Sequence, residues 1–148
     1  MDTHTAATVA EATGASPATL QRYMMQGITE FQPCDVPSRG SGEKRGYSTR
    51  RAIQIAITLE ASRLGIAPKR GGKAAFEYSD RGNPGRTVGE PYPIGATLLV
   101  GFPNGQNKVI NIPPDKSVSD VLSDDSAVFI INCNKVVAKV TDKLSNKK

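Results

Sequence analysis

The chain has 148 residues, 38% of them hydrophobic and 22% charged, with a formal net charge of +5. That length holds one ordinary domain or two small ones, since a domain usually takes about 100–200 residues. No apolar run approaches the roughly 18 residues of a membrane helix, and the opening MDTHTAATVAEATG lacks the basic end and apolar stretch of a secretory signal, so a cytoplasmic protein without a membrane partner is expected.

From Thr5 to Thr13, Val9 and small alanines recur at helical spacing, and Gly14 offers a stop. A second helix follows at once, because Ser16 is a good N-cap, Pro17 suits the first helical position and Gly27 can end the element. Leu20, Tyr23 and Met24 share one face of it, which leaves Ala18, Gln21, Arg22 and Met25 pointing the other way. Two short helices joined by a tight turn are the helix-turn-helix pattern, whose second helix reads the major groove of DNA. The polar stretch Thr29 to Tyr47, with Pro33, Pro37, Gly40, Gly42 and the basic group Arg39, Lys44 and Arg45, reads as two short strands around a flexible tip, a wing. Ser48 then caps a long helix to about Leu64, apolar at Ala52, Ile53, Ala56, Ile57 and Leu59, with Gly65 as its stop. Ala67 to Phe76 has the makings of another helix, although Gly71 and Gly72 each cost about 1 kcal/mol inside one.

Residues 79–93 carry three glycines and three prolines without an apolar period, which is linker chemistry. They divide the chain into a first domain, residues 1–78, and a smaller unit, residues 94–148. In the latter, Ala96 to Phe102 and Lys108 to Ile112 read as strands around the hairpin signal Asn104-Gly105. Ser117 with Asp120 starts a short helix containing Val118, Val121 and Leu122. Ser126 to Asn132 is a buried-type strand, and Asn134 is a candidate cap for a last helix with Val136, Val137, Val140 and Leu144 on one stripe. The expected class is α+β, a winged helix-turn-helix followed by a ββαβα unit.

Every arginine lies at or before Arg86, and the positive charge beyond it is lysine only. Arginine's planar fork suits phosphates and guanine edges, so function is expected in the first half. Cys34, Cys133 and His4 are too few ligands for a metal site, and two ordinary reduced thiols are expected, with no metal and no cofactor. A single histidine supports no Ser/His/Asp set, no glycine loop with lysine is present to cradle phosphate, and Asp124 and Asp125 sit in a turn, so an enzyme is not expected.

The ordered run Thr8-Val9-Ala10-Glu11-Ala12-Thr13-Gly14-Ala15-Ser16-Pro17-Ala18-Thr19-Leu20-Gln21-Arg22-Tyr23, then Gly27-Ile28, then Arg45-Gly46-Tyr47-Ser48, resembles the DNA-binding domain of the MerR family over about residues 5 to 68. The chain departs from that pattern at Gln21, where the family has arginine, at Arg22, where it has tyrosine, and at Met24, where it has glutamate. It also lacks the long C-terminal coiled-coil helix through which such regulators dimerise. The resemblance implies a bacterial or phage transcription regulator bound to promoter DNA. Excisionases and the small subunits of phage DNA-packaging machines share the likeness, and an adaptor that has lost DNA binding is a third reading.

The candidate DNA contacts are Ser16, Ala18, Gln21 and Arg22 on the recognition helix, Arg39, Lys44, Arg45 and Tyr47 on the wing, and Arg50 and Arg51 at the start of the long helix. Arginine pairs with guanine and glutamine with adenine, while charge and hydroxyl groups suit phosphate. Tyr47 has an equal claim as a core ring, and Arg50 and Arg51 as solvated residues. With the coiled coil missing, the 94–148 unit is the expected dimerisation or effector module of a homodimer; its Val136, Val137, Val140 and Leu144 stripe reads most simply as a helix covering its own sheet, with part of the surface left for a second copy.

Overall fold

A computed structural model describes residues 3–36, 45–120, 122 and 125–146. Helix α1 (Ala6–Thr13) starts on the Thr5 side chain, which accepts from the Thr8 amide, and stops at Gly14, whose φ of 83° is the left-handed cap. Ser16 accepts from the Thr19 amide to start α2 (Pro17–Met25), which buries Leu20 and Tyr23. Ser48 does the same for the Arg51 amide at the head of α3 (Thr49–Arg63). The Ser16 and Ser48 caps and the Gly14 stop match the reading of the residues, because a serine hydroxyl satisfies an amide that the first turn leaves open.

Only the base of the expected wing is described. Its tip, with Pro37, Arg39, Gly40, Gly42 and Lys44, lies outside the described residues. Val36 and Gly46 bridge on either side of it, but the strand that follows, β2 (Tyr47–Ser48), pairs antiparallel with β1 (Thr3–His4). The N-terminal segment supplies a pairing edge that no local pattern announced.

Helix α3 is the central element. Residues 51–58 are buried in an unbroken run, which a helix shows when neighbours close on every side. One neighbour is α4 (Pro68–Ser79), which runs through both expected breakers. A side chain at Gly72 would stand 2.5 Å from the Ile28 carbonyl oxygen, and one at Gly71 would stand 3.1 Å from Ala61 Cβ. The two glycines let α4 lie close against α3 and the chain after α2, and that packing outweighs their poor helix propensity.

Three antiparallel strands follow: β3 (Ala96–Gly101), β4 (Asn107–Ile112) and β5 (Phe129–Asn132), with β3 in the middle. Gly105, at φ 87°, makes the expected hairpin turn. Leu99 and Ile131 face the helices, while Leu98, Val100, Phe102 and Ile112 form a second cluster on the other face. Between β4 and β5 the expected α-helix is a single 3-10 turn, Val118–Asp120. Ser117 and Asp120 do form the starting hydrogen bond, at 2.7 Å. Val118 and Leu122 remain exposed, so no buried face holds further turns in place.

Helix α5 (Cys133–Ser145) leaves β5 without a loop. Asn132 ends the strand and caps the helix, its side chain accepting from the Lys135 amide. Asn134, the expected cap, instead accepts the Thr97 amide at 2.7 Å and pins α5 to β3. Cys133, Val137, Val140 and Leu144 then join Val9, Ala12, Ala56 and Ile57 in one buried cluster.

The α5 stripe packs within its own chain, on α1 and α3 as well as on β3. The expected spacer is also a packed segment: Arg86 donates to the carbonyls of Glu77, Tyr78, Arg81 and Glu90 and to Asn83 Oδ1, folding residues 77–90 around one guanidinium. Five donors on a planar fork satisfy carbonyls that the last turn of α4 and the glycine- and proline-rich loop leave without backbone partners. Among the described residues, no helix is long and apolar enough to cross a membrane.

Candidate nucleic-acid interface

The outer face of α2 is open. Ser16, Pro17, Ala18, Gln21, Arg22 and Met25 are all exposed, while Leu20 and Tyr23, at 2% and 1% exposure, anchor the opposite face. Ser16 spends its hydroxyl on the cap, 3.1 Å from the Thr19 amide, so its part is to start the helix. Arg22 is exposed, with its guanidinium carbon 5.8 Å from the centre of the Tyr23 ring.

Arg45 stands close by. Together with Gln21, Pro17, Leu20 and Tyr47 it lines a surface depression of about 500 Å³ that reaches the Thr5 cap of α1. The fold therefore unites a polar side chain from α2, a cation from the residues before β2 and the amino end of α1. An amino-terminal helix turn carries partial positive charge, and a cation beside it suits a phosphate.

The other candidates part company. Tyr47 is 1% exposed and meets Phe31 edge-on at 5.3 Å, so its ring is core and not an exposed phosphate contact. Arg50 is exposed but lines a different depression with Cys34, Thr49 and Asp80. Arg39 and Lys44 lie outside the described residues.

Arg51 is the plain correction: it is fully buried and makes no surface. Its guanidinium binds Asp35 at 3.1 Å and Asp80 at 2.9 Å and also donates to Gln54 Oε1. Asp35 in turn accepts from the Ser48 amide and hydroxyl, and Gln54 donates to the Gly72 carbonyl. Burial opposes the charge on Arg51, but the hydrogen bond to Asp80 and the charges of Asp80 and Asp35 outweigh it and raise its pKa above the ordinary value. The network fastens the first part of the expected wing, the head of α3 and the end of α4 into one piece. Sequence alone held no signal for it, because Asp35 and Asp80 lie 16 and 29 residues from Arg51. Arg70 is likewise inward, donating to the Phe102 carbonyl and lying over the Phe129 ring at 5.2 Å.

Both cysteines are free thiols. Burial pushes the Cys133 thiol up to about 12, and Cys34 is half-buried beside the Ser48 hydroxyl. No group of three or more His, Cys, Asp or Glu side chains that could hold a metal occurs among the described residues. No model of a known protein family matches this chain, and neither does any curated protein.

Proposed function

We propose that this protein is a sequence-specific double-stranded DNA-binding regulator that lays the outer face of α2 in the major groove and sets Arg45 against the flanking backbone. The observation that carries this reading is the division of α2: Leu20 and Tyr23 hold the helix down, while Ala18, Gln21, Arg22 and Met25 stand clear with no protein over them. The α1–α2 turn has the compactness of a helix-turn-helix, and the run from Thr8 to Tyr23 that resembles MerR-type domains lies on these two helices. Two small residues at the start of α2, Pro17 and Ala18, allow close approach of the helix to base edges, and Gln21 and Arg22 supply the donors that read them. The longest helix among the described residues is α3, with 15. With no rigid coiled coil among the described residues to distort a promoter, simple occupation of the site, and so repression, is the proposed mode.

Selection of bound duplexes from a random DNA pool tests the reading. Gln21→Ala and Arg22→Ala are expected to cost about 1–3 kcal/mol of affinity each and to relax preference at a single base pair. Arg45→Ala is expected to weaken all sequences alike and to lower the slope of log affinity against log salt by about 1. If the pool yields no enriched sequence and affinity does not fall with salt, DNA binding is excluded and α2 is a protein-docking face.

A further inference from the structure

On another side of the molecule, the ends of α1 and α3 meet α5 and the free edge of β5 around a cleft of about 390 Å³. Small-ligand sites usually measure about 300–1,000 Å³. The inner part is apolar, built from Ala56, Ile131 and Val140, all buried. Leu64, 59% exposed, and Val136 form its walls.

The rim is cationic. Lys135 and Lys139 are exposed, both line the cleft, and neither forms an ion pair among the described residues. They stand four residues apart on α5, where like charges repel across one helical turn. The cleft's single carboxylate, Glu60, is already held by Arg63 at 2.9 Å. An apolar pocket ending at two unpaired ammonium groups complements a molecule with the opposite division, hydrocarbon at one end and negative charge at the other.

We infer that this cleft binds a small amphipathic anion, an aliphatic or ring compound bearing a carboxylate. The hydrocarbon lies against Ile131, Val140 and Leu64, and the carboxylate sits between Lys135 and Lys139. The site is separate from the outer face of α2 and does not depend on DNA binding.

Titration of decanoate into the isotope-labelled full chain, followed by amide resonances, tests the inference. The amides of Thr13, Leu64, Ile131 and Lys135 are expected to shift together and saturate at one equivalent. Decanol, with the same chain and no charge, is expected to bind about tenfold more weakly, and added salt to narrow that gap by screening the rim. The double variant Lys135→Gln with Lys139→Gln alters only exposed side chains, so it is expected to keep the fold, lose about tenfold in decanoate affinity and bind decanol unchanged. Leu64→Asn is expected to weaken both ligands. Absence of saturable shifts, shifts confined to other surfaces, or equal decanoate affinity in the wild type and the double variant would each overturn the assignment.

Discussion

Helices α2 and α3 begin alike and end in opposite surroundings. Each starts on a serine whose hydroxyl accepts an amide three residues on, and each carries arginine, in the last turn of α2 and in the first turn of α3. Arg22 lies in water over the Tyr23 ring, while Arg51 is sealed between two carboxylates. The difference follows from position. Helix α3 is enclosed by α1, α4 and α5, whereas α2 sits at the margin and packs mainly on α1. An enclosed arginine stays charged only where partners replace the water it has lost, and a marginal one needs none. A cap therefore tells where a helix starts; its neighbours decide what its arginines can do.

The contrast can be broken at several strengths. Ending the chain at Asn132 removes Val137, Val140 and Leu144 from the cluster that covers α3. The expected outcome is loss of cooperative unfolding and of dispersed amide resonances. A shortened chain that still unfolds cooperatively would show that α3 does not need α5. Next in size, Arg51→Ala leaves Asp35 and Asp80 buried without their partner and is expected to cost about 3–5 kcal/mol in urea denaturation. A loss below about 1 kcal/mol would mean that water reaches both carboxylates at little cost.

The two caps provide a finer comparison. Ser16→Ala is expected to cost about 1 kcal/mol, the ordinary worth of an N-cap. Ser48→Ala should cost about 2 kcal/mol, because its hydroxyl also donates to Asp35 Oδ1 at 2.5 Å. Equal losses would separate the cap of α3 from the Arg51 network. Smallest of all, Arg22→Ala is expected to move stability by less than about 0.5 kcal/mol, as exposed side chains usually do. A larger change would place Arg22 among the residues that hold α2 down.

The open face of α2 was legible in the residues because Leu20 and Tyr23 fall three apart and set the buried side without help from distant segments. The same local logic found the Ser16 and Ser48 caps, the Gly14 stop and the Asn104-Gly105 hairpin. It failed where a residue's partner was remote. Arg51 reads as a solvated or phosphate-binding residue until Asp35 and Asp80 are brought to it, and Tyr47 reads as a candidate contact until Phe31 and β1 close over it.

Residues 79–93 failed for a related reason. Glycine and proline signal the absence of regular structure, which is true there, but they do not signal the absence of packing: Arg86 gathers carbonyls of the loop and of the end of α4 as a ladder partner would. Periodicity, caps and turn residues act over a few positions and determined where the helices and the hairpin of this protein lie. The tertiary structure alone decided that α5 covers α1 and α3, that Gly71 and Gly72 serve close packing, and that Arg51 is interior while Arg22 is exposed. Those outcomes depend on which surfaces meet and lose their water, and residues adjacent in the chain carry no record of that.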